Sequence, residues 1–373
     1  MLECHGAPDA VLRDMVEAME HPVVVCEQIT APEEQALVQR LRDHGVSVIT
    51  VWQSSLLSLS DLPFKPSAVP DTFTSFRRAV EDRQVEASMP LSAPCSLPAL
   101  PDLGVLRGIG QASDLKQTSG LPDCPPATSI SKLGSIGSMR GSETDALRHL
   151  QQYCQRGLPH TYKSTRNALM GVDSSSKWSL WLAHGALSAR KAWASIREFE
   201  RAEGATESTY WLWFELLWRD HFRLLHHKHG SRLYHAGGLT GLPCTSHDET
   251  AFQLWCVGRT GHDLIDAGMR ELAMTGYLSN RMRQIVASYL IHDLGCDWRA
   301  GAAWFESQLI DLDVYSNQGN WLYVSGHGTD PRGGRRFNPD KQADEHDPLG
   351  EYRRIWLNEA LLAGPPSTLG APG

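Results

Sequence analysis

The sequence has eight cysteines but no C-x-x-C pair, and its 35 Lys and Arg are outnumbered by 43 Asp and Glu. Scattered cysteines argue against a zinc site or a disulfide framework and favour a reducing compartment. The net charge of −8 gives no overall basic surface, so nucleic-acid binding would require a local patch. No apolar run reaches the length of a membrane span, and the N-terminus lacks the character of a signal or transit peptide. We therefore expect an intracellular protein without a membrane segment or a metal site.

The first part of the chain alternates helical and extended patterns over residues 7–52. The segments "HPVVVCEQ" (21–28) and "VSVITVW" (46–52) have the β-branched character of strands, and a helical pattern precedes each. A continuous apolar strand is typical of a parallel sheet that is covered on both faces. Together with a helix predicted at 70–82, the pattern indicates an α/β domain over residues 1–84.

The composition changes after residue 84. Residues 85–143 are rich in Pro, Ser and Gly and are predicted to form a linker. Residues 144–360 show the helical period without a convincing strand, which predicts an all-α domain followed by a tail at 361–373. The strongest helical patterns of this domain cover 144–157, 187–203, 208–229, 263–275, 279–294 and 300–310.

The helix at 208–229 carries the first candidate site, with Ser208 as its expected N-cap. Glu215, Trp218, Arg219 and Phe222 share one face by their spacing. Their aromatic neighbours favour a partly buried Glu215–Arg219 pair in the wall of a cleft over a solvated surface pair. The histidines near the end of this helix are expected on its exposed end, and a metal site is disfavoured because no matching acidic or Cys ligands follow them. They are His226, His227 and His229.

The helix at 279–294 follows a Ser279 that can cap it. Asn280, Arg283, Gln284 and Ala287 fall on one face, whereas Arg281 points elsewhere. A polar stripe on an apolar helix fits either a planar polar ligand or a buried network with nearby carboxylates, and both can hold together.

The segment "LIDLDVYSNQGNWLY" (309–323) supplies those carboxylates, Asp311 and Asp313. A D-x-D pair could hold a divalent cation, but that would require further oxygen ligands and a preceding nucleotide-binding domain. The flanking residues are apolar instead, and Arg219 and Arg283 are available as partners. Carboxylate, guanidinium and amide around a flat ring is how a protein tunes a flavin. A hydroxyl-rich turn before an apolar helix could bind its diphosphate, although such turns are common. Its members are Ser175, Ser176, Lys177 and Ser179.

Several long motifs in order resemble the photolyase/cryptochrome family, specifically its cryptochrome DASH branch. They are "DTFTSFRRAVE", "STYWLWFELLWRDHFR", "GYLSNRMRQIVASYL", "DLDVYSNQGNWLYVSG" and "FNPDKQADEHDPLGEYRRIWL". The resemblance implies a Rossmann-like α/β domain, incomplete at its start, followed by an all-α FAD-binding domain. It places Tyr162, Ser175, Ser176, Lys177 and Ser179 at the phosphates and ribityl chain of FAD. It places Arg219, Asn280, Arg283, Asp311, Asp313 and Asn317 around the isoalloxazine, with Asn317 near N5.

The reaction implied by the resemblance is the blue-light-driven splitting of cyclobutane pyrimidine dimers, preferentially in single-stranded DNA. Reduced FAD would donate the electron to a flipped dimer, and Trp321 and Trp298 would conduct electrons to the flavin. The residues that match the lesion site are Glu215, Trp218, Asn280, Arg281, Gln284, Tyr323 and Arg166. The (6-4) branch has histidines at positions 280 and 284, where this sequence has Asn and Gln. A (6-4) lesion is therefore not expected as the substrate. A monomer is expected.

The sequence also departs from the family pattern. A third tryptophan of the electron-transfer chain should fall near Cys244 or Thr245 and is absent, while Trp255 matches a different family position. Leu180 replaces a usual proline, and "RGGRR" (332–336) replaces a more acidic loop. The family's first strand is absent, which predicts a truncated chain and places a folate antenna in doubt. The alternative function is a blue-light photoreceptor that signals without repair.

Overall fold

The computed structural model describes residues 6–99, 136, 139–243, 246–330 and 332–358. The α/β part contains two strands, β1 (Val23–Glu27) and β2 (Ser47–Val51), and three helices, α1 (Pro8–Glu17), α2 (Pro32–Asp43) and α3 (Phe73–Asp82). The strands pair in parallel, in a register that runs from Val23 opposite Ser47 to Glu27 opposite Val51. Both predicted strands and their parallel relation are confirmed.

The prediction that the sheet is covered on both faces is wrong for the described residues. Val23, Val25, Ile49 and Val51 lie on one face and are 42–64% exposed. A continuous apolar pattern allows both faces of a strand to be buried but does not ensure it. Here only the other face of the sheet packs on neighbouring residues.

The second part is helical, and its described residues contain no strand. Its longer helices are α4 (Glu143–Gln155), α7 (Ala189–Glu203), α8 (Glu207–His229), α10 (Asp263–Thr275), α11 (Asn280–His292), α12 (Trp298–Gln308) and α13 (Val314–Ser325). The shorter ones are α5 (Tyr162–Thr165), α6 (Ser179–Leu182), α9 (Glu249–Cys256), α14 (Pro339–His346) and α15 (Glu351–Leu357). The predicted helices are confirmed to within a few residues at their ends.

The predicted N-cap of α8 is wrong. Thr206 caps the helix by accepting from the Thr209 N–H, and the Thr209 hydroxyl accepts from the Thr206 N–H in return. Ser208 lies inside the first turn, where its hydroxyl donates to the Pro159 carbonyl oxygen at 2.7 Å. The reciprocal bond satisfies two backbone donors at once, which explains why the cap falls two residues earlier than predicted.

Helix α8 joins the two parts of the chain. The Asp220 carboxylate accepts from the Leu56 and Leu57 N–H groups at 2.9 and 2.7 Å. Arg223, one turn on, forms an ion pair with Glu27. These groups are buried on α8, so the segment that follows β2 is fixed to the helical part.

Part of the chain lies outside the described residues. This includes 100–135 and 137–138 of the predicted linker, the predicted tail at 361–373, and positions 244 and 245. Within the described ranges, no helix is both long and apolar enough to cross a membrane.

Candidate functional site

A cavity of about 1070 Å³, here called the main cavity, lies between α8, α11 and α13. A second space of about 1390 Å³, the adjoining cavity, shares much of its wall. The two cavities bring together the following sequence-predicted residues: Tyr162, Arg166, Ser175, Ser176, Lys177, Ser179, Glu215, Trp218, Arg219, Asn280, Arg283, Gln284, Asp311, Asp313, Asn317, Trp321 and Tyr323. Trp298 and Arg281 line neither cavity.

Asp311 is the most deeply buried acid of the main cavity, with its side chain 0% exposed. Both carboxylate oxygens accept from the same terminal nitrogen of Arg283 at 2.8 Å. The Arg283 Nε–H donates to the Leu278 carbonyl oxygen at 3.0 Å, which fixes the guanidinium. The predicted buried network between α11 and the D-x-D segment is confirmed.

Asp313 caps α13 by accepting from the Ser316 N–H at 2.8 Å and lies 3.3 Å from Arg219. Burial opposes its ionisation, but the guanidinium groups of Arg219 and Arg223 hold the pKa of Asp313 below its usual value. Arg219 also donates to the Ser54 carbonyl oxygen. The α/β part therefore contributes directly to the environment of this cavity.

The predicted Glu215–Arg219 pair is wrong. Glu215 lies 2.6 Å from Arg166, and Arg219 turns towards Asp313 instead. Burial raises the pKa of Glu215 and the Arg166 guanidinium opposes that rise, although 32% of the carboxylate side chain remains open to the cavity. Each cation has a separate carboxylate, so the cleft wall carries two ion pairs where the sequence suggested one.

The hydroxyl-rich turn places a buried cation at the adjoining cavity. Lys177 is 2% exposed, with a left-handed φ of 55°. Its Nζ lies 5.2 Å from the centre of the Tyr277 ring and 3.4 Å from the Ser174 hydroxyl. Burial lowers the pKa of Lys177 to about 8. No carboxylate of the described residues lies within 4 Å of this ammonium, so an anion would find an incompletely paired cation here.

The apolar helix expected after this turn is short. Helix α6 ends at Leu182, and Gly185 adopts a left-handed φ of 72° before α7 begins. A four-residue helix has little dipole to offer a phosphate. Lys177 is therefore the main source of positive charge at this turn.

The aromatic residues of α8 meet the α/β part. Trp218 stacks on Phe73 of α3, with ring centres 3.8 Å apart and planes at 10°. Tyr323 stands edge-on to Trp218 at 6.1 Å. These rings also line a third space of about 1080 Å³, here called the side cavity. The sequence around Phe73 predicts a helix and carries a family motif, but it does not indicate this contact.

The remaining predicted site residues lie farther from the cavities. Arg281 points away from the α11 stripe, as predicted, and its guanidinium lies 5.6 Å from the Phe337 ring centre. Trp298 is buried, and its indole N–H donates to the Ala236 carbonyl oxygen at 3.3 Å. Asn317 lines the main cavity while its amide donates to the Ala302 carbonyl oxygen at 3.0 Å.

Trp321 lines the main cavity and is 2% exposed. Its nearest aromatic rings are Phe305 at 5.2 Å and Trp255 at 6.4 Å. Phe305 and Asn320 also line the cavity, and sequence analysis did not select them. Asn320 could have been selected, because it falls one turn after Ser316 and Asn317 within the same motif.

The histidines of α8 do not share one environment. His226 is 1% exposed, and its Nδ1–H donates to the Phe222 carbonyl oxygen at 2.7 Å, so its predicted exposed position is wrong. It points inwards because α8 continues through the core beyond the cavity. His229 lies 2.7 Å from Asp71. In the described part of the chain, no group of three or more His, Cys, Asp or Glu is arranged to hold a metal.

Two models of known protein families match the chain. Residues 211–367 match the family model of the FAD-binding domain of DNA photolyase, and residues 2–95 match that of DNA photolyase. Cryptochrome DASH of Gloeobacter violaceus is 42% identical over 381 residues, which covers 100% of this chain and 73% of that protein. Cryptochrome DASH of Xenopus laevis is 42% identical over 363 residues, covering 95% of this chain and 67% of that protein.

Solved structures agree with these relatives. A cryptochrome from Synechocystis is similar with a TM-score of 0.79 at 38% identity, over 96% of this chain and 73% of that one. A bacterial class III photolyase from Agrobacterium tumefaciens is similar with a TM-score of 0.69 at 27% identity, over 95% of this chain and 72% of that one. The fold and the matched domains define a photolyase-like flavoprotein with FAD as its cofactor. The chain belongs to the photolyase/cryptochrome family, in its cryptochrome DASH branch.

Proposed function

We propose that the protein splits cyclobutane pyrimidine dimers under blue light, preferentially in single-stranded DNA. The observation that carries the proposal is the continuity of the main and adjoining cavities. One wall bears the Arg283–Asp311 and Arg219–Asp313 pairs, and another bears Glu215 and Trp218. A signalling flavoprotein needs the first wall, whereas only a repair enzyme needs the second.

The residues of the main cavity fit a flavin. Flavin presents a polar pyrimidine edge and an apolar benzenoid ring, and the cavity offers ion-paired guanidinium groups beside apolar residues such as Phe305 and Leu309. Lys177 supplies a buried positive charge for the diphosphate, and Ser175, Ser176, Ser179 and Tyr162 supply hydroxyls. Asn280 and Asn317 complete the polar edge. When bound and reduced, FAD supplies the light-excited electron that opens the dimer.

The groups of the adjoining cavity are suited to an extruded pyrimidine dimer. Glu215 and Asn280 offer hydrogen-bonding groups for the base edges, with Gln284 close by on α11. Trp218 and Tyr323 offer flat surfaces for stacking, which contributes roughly 1–3 kcal/mol per base. Arg166 holds Glu215 in place through their 2.6 Å ion pair. Extrusion costs least from a single strand, which is the reason for the proposed preference.

The tryptophans have a separate role in this proposal. Trp321 lines the main cavity and is positioned to pass an electron towards it. Trp298 is the proposed next carrier, and the position expected for a third carrier, near Cys244 and Thr245, holds no tryptophan. Photoreduction and repair are therefore separable activities of the chain.

The test is repair of single-stranded oligonucleotides that contain one thymine dimer, using purified protein loaded with FAD. One sample is reduced by light and a second by dithionite. We expect repair in blue light by the dithionite-reduced sample, and none in the dark. Protein that retains FAD yet leaves dimers intact in both samples would support the photoreceptor function instead.

A further inference from the structure

The Trp218 indole stands between the adjoining cavity and the side cavity and lines both of them. Phe73 lines the side cavity but not the adjoining cavity, so its stack leaves open the part of the indole that faces the adjoining cavity. The indole is surrounded by four rings, those of Phe73, His221, Phe222 and Tyr323. Contacts between rings therefore decide the plane in which it lies.

Phe73 is the ring that restricts this plane most. Its centre lies 3.8 Å from that of the indole and the two planes are within 10° of parallel. The other three rings lie 5.3–6.1 Å away and are inclined by 39–71°. A ring that lies flat at van der Waals distance prevents the indole from tilting towards it. Phe73 therefore fixes the tilt of Trp218.

Phe73 can do this because its own position is fixed. The side chain is 6% exposed, and the Phe214 ring stands edge-on to it at 4.9 Å. The other end of α3 is fastened to α8 through the Tyr210 hydroxyl. This hydroxyl donates to Glu81 at 2.7 Å and accepts from Arg77 at 2.8 Å. The stack therefore transmits the position of α3 to the site.

The side cavity gives the indole space to move into if the Phe73 ring is removed. It measures about 1080 Å³ and borders both rings. An indole that tilts into this space would present an edge to the adjoining cavity instead of its face. Stacking on a base requires the face, because the favourable contact is between the flat surfaces of the two rings.

We infer that Phe73 is a positioning residue for lesion recognition, which holds the Trp218 indole in the plane on which a base of the extruded dimer stacks. The inference rests on the proposed function, because this plane matters only if the adjoining cavity accepts the dimer. Phe73 acts through Trp218, since it does not itself line that cavity. The α/β part thus contributes to lesion affinity through one ring.

The test measures the affinity of the FAD-loaded protein, in the dark, for two single-stranded oligonucleotides of one sequence, with and without a thymine dimer. The test variant is Phe73→Leu, which keeps an apolar side chain in the core but removes the flat ring. The matched control is Phe76→Leu, the same change one turn later on α3. The Phe76 ring is 0% exposed and lies 4.9 Å from the His221 ring. Phe73→Tyr restores an aromatic ring and is the rescue variant.

Phe73→Leu should weaken binding of the dimer strand about threefold to tenfold, the range that one aromatic pair is typically worth. The dimer-free strand should keep the parent affinity. Phe76→Leu and Phe73→Tyr should bind both strands like the parent. In a Trp218→Ala background, Phe73→Leu should change the dimer affinity by less than about twofold, because two residues that act through one contact are not additive.

An unchanged dimer affinity in Phe73→Leu, an equal loss on both strands, or the full additional loss in the Trp218→Ala background would overturn the inference. So would an equal loss in Phe76→Leu. Bound FAD per chain and circular dichroism should match the parent in every variant. If the leucine variant loses FAD, Phe73→Met takes its place, because the flexible side chain of methionine fills an irregular space. Failure of the proposed function has a different appearance: the parent itself would bind both strands equally, and this inference would fall with it.

Discussion

Replacing Asp311 by alanine removes the carboxylate that pairs with Arg283 inside the main cavity. The acid is fully buried and both oxygens lie 2.8 Å from the guanidinium, whereas Arg283 is 25% exposed towards the cavity. Breaking a buried pair costs about 3–5 kcal/mol because the remaining charge has no partner. The partial exposure of Arg283 lets solvent relieve some of this cost, so we expect a value near ~3 kcal/mol.

The expected result is loss of FAD together with loss of stability. For 373 residues, an unfolding entropy of about 2.1 cal/mol/K per residue converts ~3 kcal/mol into a fall in melting temperature of about 4 °C. Thermal melting and the flavin absorbance of the purified protein measure the two effects. Asp311→Asn keeps the shape and one acceptor, so it should melt closer to the parent than the alanine variant does.

Glu207→Ala is the matched control, because it breaks the exposed ion pair with Lys163. Exposed pairs contribute little, so this variant should melt like the parent and retain FAD. If Asp311→Ala also melts like the parent and keeps its flavin, the buried pair with Arg283 does not support the cavity and the reasoning is refuted.

Three other predictions concern binding and electron transfer. Glu215→Ala and Trp218→Ala should each weaken dimer binding or repair about tenfold or more with FAD retained, since losing one hydrogen bond or one stacking surface costs about 1–3 kcal/mol; parent-like repair in both would place the lesion elsewhere. Burial lowers the pKa of Lys177 to about 8. Above that pH, Lys177 of the cofactor-free protein must take up a proton before it carries a positive charge. FAD affinity should therefore fall as pH rises beyond about 8, and Lys177→Arg should flatten the fall in an equilibrium titration. Trp321→Phe should abolish photoreduction measured by flavin absorbance, whereas dithionite-reduced protein should still repair dimers.

The sequence pattern predicted the helices of the site well, because polar residues three and four positions apart lie on one face of a helix and in no other regular arrangement. Asn280, Arg283 and Gln284 line the cavities as their spacing on α11 required. The pairing of charges was harder to predict. Glu215 and Arg219 are neighbours on α8 by spacing, yet each meets a partner from a distant segment, Arg166 and Asp313.

Contacts between the two parts of the chain were also beyond prediction from sequence. Nothing in the pattern of α3 indicates that Phe73 stacks on Trp218, because the contact depends on how α3 docks on α8. The burial of His226 depends in the same way on packing around the end of α8. The exposed face formed by Val23, Val25, Ile49 and Val51 shows the opposite case, because no described segment covers the face that the local pattern predicts to be buried.

The hydrogen bonds between Asp220 and the amides of Leu56 and Leu57 have a consequence for the order of folding. They join residues separated by 164 and 163 positions, so the segment after β2 must wait for α8 before its amides are satisfied. Closing so large a loop is slow, and the two hydrogen bonds stabilise the fold only once both ends of the loop are structured. The amides of Leu56 and Leu57 should consequently exchange with solvent at the rate at which α8 itself opens. The α/β segment and the wall of the flavin cavity then form one cooperative unit, although they lie far apart in the chain.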